Sequence, residues 1–171
     1  MSGIIYILTG PVRHGKTTHL FHWTTVADRS IGGFLCPDLG GKRMLYDVFN
    51  RRYHPFEVRA SYRGETVRVG RFCFSQAGFD LAHVMIDEAI RKKTDWIVLD
   101  EIGLLESKNL GFASCLEKVL RLQKSHAYLG DLLLVIRLSC FQDIISQFGI
   151  EMYHRLTVDH LLRSPSEWKS V

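Results

Sequence analysis

Ile4 to Leu8 is an unbroken apolar run, and the hydrophobic period along the chain then changes several times. A short apolar run closed by turn residues reads as a buried strand. Residues 16 to 28 read as a helix. "GGFLCPDLGGKR" contains two Gly-Gly pairs and a proline, so it is expected to hold turns around a short strand. From Met44 the pattern alternates, with Met44, Tyr46 and Val48 on one side and Leu45, Asp47 and Phe49 on the other. "NRRYHP" reads as a tip between this strand and a second one near Phe56 to Arg59. A turn at "YRGE" leads to "TVRVGRFCF", which again reads as strand. Residues 40 to 74 are therefore expected to form an antiparallel β-hairpin insertion in a single domain spanning residues 1–171.

After Gly78 the period becomes helical, through Ala82, Met85, Ile86, Ala89 and Ile90. "DWIVLDE" is a continuous apolar strand ending in two acids. Phe112, Cys115, Leu116, Val119 and Leu120 mark another amphipathic helix. "LLLVIRL" predicts a buried strand, "FQDIISQF" a short helix and "YHRLTV" a last strand. Strands that read as solid apolar runs and alternate with helices predict an α/β fold, with a mostly parallel sheet covered on both faces.

"GPVRHGKTTHL" follows the first strand directly, and Gly10-x-x-x-x-Gly15-Lys16-Thr17 is the P-loop pattern, with a strand before and a helix after. A polyphosphate is bulky and multiply charged. Glycines at both ends let the backbone of Gly10, Pro11, Val12, Arg13, His14 and Gly15 wrap it and turn N–H groups inward. The helix beginning near Lys16 adds its positive end, where Thr17 and Thr18 also lie. Lys16 supplies a mobile cation for the β- and γ-phosphates, and the Thr17 hydroxyl is placed to ligate Mg²⁺. Such a loop needs a carboxylate from a neighbouring strand, and "WIVLDEIG" offers Asp100 at a strand's carboxyl end. Asp100 is the expected metal residue. Glu101, adjacent, is the expected general base for an attacking water. Glu106 could orient metal-bound waters or cap the helix that follows.

Composition adds bounds. The chain has 171 residues, 46% hydrophobic and 23% charged, enough for one domain with a sizeable core. The net charge of +4 fits solubility or attraction to polyphosphate or nucleic acid, and does not separate them. The four cysteines form no C-x-x-C pair, so a zinc site is not expected, and the apolar surroundings of Cys73, Cys115 and Cys140 predict small buried thiols. No apolar run approaches ~20 residues, so no membrane partner is expected. No signal peptide is evident, which sets the expectation of a cytoplasmic protein.

Four stretches in order, "LTGPVRHGKTT", "GGKRMLYDV", "RVGRFCF" and "LDEIGLLE", resemble the small P-loop nucleoside-triphosphatase family of the cancer-related nucleoside triphosphatase type. They cover roughly residues 7 to 106. The resemblance implies a P-loop NTPase three-layer sandwich. It also implies Mg²⁺-dependent hydrolysis of nucleoside triphosphates to diphosphate and phosphate, with loose base specificity. On this likeness Lys16, Thr17 and Asp100 hold phosphate and metal, and Glu101 is the base. Arg68 and Arg71 lie in a matching stretch, where an arginine could approach the γ-phosphate.

The chain departs from the family pattern at two places. The loop carries Arg13 where the family usually has another glycine. Asp159 and His160, in "TVDHLLRS", stand where the family has an Asn-Arg pair thought to meet the base. A nucleotide or small-molecule kinase is an alternative function, though no arginine-rich lid is evident. An NTP-gated interaction module with little turnover is another, and no Asn-Lys-x-Asp for a guanine switch occurs. His19 and His22 share a helix face without a third ligand nearby in sequence. "NRRYHP" joins two arginines to Tyr53, so nucleic acid is a possible but not an indicated partner, and a solvated turn accounts for the same residues. The oligomeric state is not legible.

Replacing Lys16 with alanine is expected to weaken binding of the magnesium nucleotide and abolish phosphate release. Undiminished release by purified Lys16→Ala would remove the P-loop assignment.

Overall fold

The computed structural model describes residues 3–11 and 13–170, with backbone only for residues 169 and 170. The helical and strand periods of the sequence resolve into β1 (Ile5–Leu8), α1 (Lys16–Val26), β2 (Ile31–Leu35), β3 (Asp38–Leu39), β4 (Lys42–Asp47), β5 (Arg52–Pro55), β6 (Thr66–Val69) and β7 (Phe72–Ser75). They continue as α2 (Gln76–Arg91), β8 (Trp96–Ile102), α3 (Ala113–Lys124), β9 (Asp131–Ile136), α4 (Phe141–Gln147) and β10 (His154–Leu156). Short 3-10 turns at Val158–Leu162 and Pro165–Ser170 form the tail.

The order β10-β1-β9-β8-β2 is parallel throughout. β4 joins antiparallel to β2 and carries β3 and β5, while β6 and β7 form a separate two-stranded sheet. Strand alternation divides the core into two layers. Ile7, Ile97, Leu99, Leu132 and Leu134 face α2, α3 and α4. Tyr6, Leu8, Trp96, Val98, Leu133 and Val135 face α1 and the tail. This is the expected three-layer arrangement, and no described helix is long and apolar enough to cross a membrane. All four cysteines are buried and unpaired by disulfides.

The structure differs from the sequence reading in four places, two of them in the insertion. "TVRVGRFCF" is two strands, because Gly70 at φ +55° makes a two-residue turn with Arg71. The strand expected at Phe56–Arg59 lies instead at Arg52–Pro55. The Asp47 carboxylate accepts from the Asn50 N–H at 3.0 Å and closes the β4–β5 turn earlier. Most of the expected "NRRYHP" tip is therefore paired strand, and the Tyr53 ring lies 4.6 Å from Tyr46 and 6.3 Å from Phe21. Helix α2 begins at Gln76, before Gly78, because the Ser75 hydroxyl accepts from the Gly78 N–H at 3.1 Å. Helix α1 ends at Val26, two residues earlier than its sequence pattern predicts.

The tail is held by an aromatic cluster. Trp168 is fully buried, with ring centroids 5.4 Å from Tyr6, 5.5 Å from Trp23 and 5.7 Å from Trp96. Its indole N–H donates to the His160 carbonyl at 2.7 Å, which satisfies the one polar atom of the ring. Trp168→Ala should cost about 3–5 kcal/mol of unfolding free energy, the usual range for a large buried aromatic. Urea denaturation checks this, and a loss below about 1 kcal/mol would show that the tail does not stabilise the α1 layer.

Candidate active site

Leu8 ends β1 in the core, and the chain turns at Gly10 (φ +157°) before α1 begins beyond Gly15 (φ +69°). Arg13 stands at φ +63°, the region that glycine enters freely. The position thus keeps a glycine-like backbone without a glycine, at roughly 1–2 kcal/mol. Pro11, Arg13, His14 and Thr18 are exposed. Val12, the remaining expected loop residue, lies outside the described residues. The Lys16 ammonium donates to the carbonyls of Gly10 at 3.1 Å and Pro11 at 2.7 Å, so it lies back across the loop.

Asp100 is fully buried at the carboxyl end of β8. Its carboxylate accepts from three different segments: the Thr17 hydroxyl at 3.0 Å, the Cys36 N–H at 3.0 Å and the Glu101 N–H at 2.8 Å. Burial, and then the neighbouring Glu101 charge, push its pKa up to about 6, against those three donors. Burial, with the Asp100 and Glu101 charges behind it, likewise raises the Cys36 thiol.

Glu101 leaves the strand in another direction, but not through simple alternation. Its φ is +62°, and the β8–β9 register shifts between Leu99 and Ile102. This irregularity re-aims the side chain, as β-bulges beside functional sites do. The Glu101 carboxylate is ion-paired with the Arg43 guanidinium from β4, both side chains being about 30% exposed.

Glu106 points elsewhere. It is buried, accepting from the Gly103 N–H at 2.7 Å and from the Phe112 N–H at 2.8 Å. Burial raises its pKa and those two donors oppose the rise. Both oxygens are therefore used in closing the loop ahead of α3. Arg68 is exposed on the β6–β7 hairpin, and Arg71 lies over the Phe72 ring at 5.0 Å. Arg43 meets Glu101 instead, and Arg137 lines with both of them one cavity of about 80 Å³. Phe56, Phe72, Phe74, Phe79 and Phe112 form the apolar wall of that cavity. Sequence reading missed both arginines. Arg43 was signalled by "GGKRMLYDV" and Arg137 by its place at the end of an apolar strand, but neither signal says what the side chain meets.

Among the described residues no three His, Cys, Asp or Glu side chains gather as a metal site, so His19 and His22 find no third ligand. Asp159 is exposed. The His160 ring nitrogen Nδ1 accepts from the Thr157 N–H at 3.0 Å and caps the first turn of the tail.

A family model described as NTPase matches residues 5–154. The nucleoside-triphosphatase THEP1 of Methanopyrus kandleri is 27% identical over 117 residues, covering 66% of this chain and 64% of that protein's length. The protein of the same name from Methanocaldococcus jannaschii is 24% identical over 125 residues, covering 68% and 72%. The crystal structure of THEP1 from the hyperthermophile Aquifex aeolicus superposes with a TM-score of 0.67 at 16% identity, covering 90% of this chain and 88% of that one. The solution structure of a human cancer-related nucleoside triphosphatase gives 0.61 at 19% identity, covering 95% and 94%. At such identities the structural likeness speaks for the fold.

The raised Asp100 pKa carries a sign. The folded state binds a proton more tightly than the unfolded chain, so this group's contribution is fully present below about pH 4 and is lost as pH rises to about 6. The stability of Asp100→Asn relative to wild type should therefore improve by about 2 kcal/mol between pH 4 and pH 7, a rise in pKa from 3.8 to about 6 being worth 1.36 kcal/mol per pKa unit. Denaturant titrations of both nucleotide-free proteins measure it, and a pH-independent difference would show an ordinary carboxylate.

Proposed function

This chain belongs to the NTPase family, and on that premise we propose that it hydrolyses nucleoside triphosphates to diphosphate and phosphate, using Mg²⁺ and discriminating little among bases. The observation that carries this reading is the 3.0 Å hydrogen bond between Thr17 and Asp100. It joins the first turn of the P-loop helix to the carboxylate strand. One hydroxyl and one carboxylate suit Mg²⁺, which takes few protein ligands and completes its shell with phosphate oxygens and water. When bound, Mg²⁺ would offset charge on the phosphate oxygens.

In this reading the loop N–H groups and the α1 N-terminus bind the phosphates. Lys16, now on the Gly10 and Pro11 carbonyls, moves to the β- and γ-phosphates. Glu101 accepts a proton from water as the water oxygen bonds to the γ-phosphorus and the bond to the β–γ bridging oxygen breaks. The diphosphate leaves with that oxygen. Loose base choice fits an exposed Asp159 and a His160 already spent on Thr157.

An NTP-gated module with little turnover is the second reading, and the Arg43–Glu101 ion pair favours it, because the carboxylate already has a partner other than water. Phosphate release separates the two. Wild type should turn over with Mg²⁺ and stop in excess chelator, and rates for ATP, GTP, CTP and UTP should lie within roughly a hundredfold, about 2.7 kcal/mol. Glu101→Gln should bind the magnesium nucleotide near-normally while turnover falls ~10²-fold or more. Normal hydrolysis by Glu101→Gln would overturn the base assignment, and a wild type that binds without turnover would support gating.

A further inference from the structure

Arg43 belongs neither to the P-loop nor to the strand that carries the carboxylates, yet its guanidinium pairs with Glu101. From this contact, and resting on the reading of Glu101 as base, we infer that Arg43 is a positioning residue that sets where the Glu101 carboxylate points.

Four observations converge on it. The Arg43 backbone is pinned: its N–H donates to the Glu57 carboxylate at 3.0 Å, and its carbonyl accepts from the Glu57 N–H at 2.9 Å. It also pairs across strands with Asp38. The guanidinium therefore projects from a fixed base. Glu101, by contrast, stands at φ +62° where the β8–β9 register slips, so regular sheet neighbours do not settle its side chain. Among the described residues, Arg43 is the hydrogen-bond donor to that carboxylate. The other cations are placed differently. Lys16 lies on the loop carbonyls, Arg71 lies over Phe72, and Arg137 lines the cavity beside Gly103. Finally, the pair sits at a cavity walled by phenylalanines, where a partly desolvated ion pair holds its geometry better than one in bulk water.

The consequence is kinetic. A general base must lie within hydrogen-bond reach of the water it deprotonates, and a misplacement of ~1 Å costs on the order of 10²-fold. A residue that aims the base should therefore act on kcat and not on nucleotide affinity. It should also have no effect once the base is gone. A direct contact with the phosphates would behave in the opposite way on both counts.

The test is a double-mutant cycle read by phosphate release and nucleotide binding. Arg43→Ala should lower kcat roughly 10- to 100-fold. Nucleotide KM and Kd should stay within about twofold. Arg43→Lys should recover part of the loss. In the Glu101→Gln background, Arg43→Ala should cost no more than about twofold further. Arg43→Gln, which keeps length and removes charge, serves in place of Arg43→Ala if the latter folds poorly. Multiplicative losses with weaker nucleotide binding would overturn the inference and place Arg43 on the phosphates. A rise in kcat would overturn it in favour of a restraint on the base. Equal losses in Arg43→Lys and Arg43→Ala, tracking a fall in Tm, would reduce the residue to a structural one. Full kcat in Arg43→Ala with an inactive Glu101→Gln would defeat this inference alone. An active Glu101→Gln would defeat the base reading and this inference with it.

Discussion

One buried carboxylate organises the site. Asp100 has no exposed surface, and two segments distant in sequence and its own neighbour each give it a hydrogen bond. Thr17 ties it to α1, Cys36 to the end of β2, and Glu101 to its own strand. A buried charge is costly unless it is paired or bonded. The three donors offset that cost in part, and the pKa of about 6 records the remainder. The parallel core strands make this convergence possible, because β1, β8 and β2 all end on the same edge of the sheet.

From that anchor the next constraint is backbone strain. Glu101, which meets Arg43, does not follow Asp100 in ordinary extended geometry. The chain instead slips register before Ile102 and takes a left-handed conformation at Glu101. Arg43 meets it only because β4 runs antiparallel beside β2, extending the sheet past its parallel part. The insertion thus delivers a cation to the carboxylate edge. Its β6–β7 hairpin adds Val69, Phe72 and Phe74 to the apolar wall beside the pair. Both Glu106 oxygens are consumed in holding the loop from Gly103 to Phe112. The two nearby acids therefore differ sharply in freedom, although the sequence presents them alike.

The opposite layer steadies the loop from below. Helix α1 packs Leu20 and Trp23 onto Tyr6, Leu8 and Trp96, and Trp168 from the tail completes that aromatic layer. The tail, where likeness to the family weakens, therefore contributes packing. His160 is used there as a capping group.

The phosphate loop, the strand–helix alternation and the Asp100-Glu101 pair were legible in the sequence. Each depends on local spacing: glycines where the backbone must turn, apolar runs of strand length, acids directly after such a run. So were the parallel core and the antiparallel insertion, because hydrophobic period reports local geometry directly. The turn at Gly70, the early close of the β4–β5 hairpin at Asp47 and the start of α2 at Gln76 were misread, since each is decided by one side-chain or turn interaction that the hydrophobic period does not register. Tertiary structure alone decided which charges meet. Arg43 lies 58 residues from Glu101, and Thr17 lies 83 from Asp100. Arg68 and Arg71 carry the same guanidinium group as Arg43, yet Arg68 is exposed on the hairpin and Arg71 lies over Phe72. Charge pairing depends on distance in space, and strand order and register set that distance after the chain has folded.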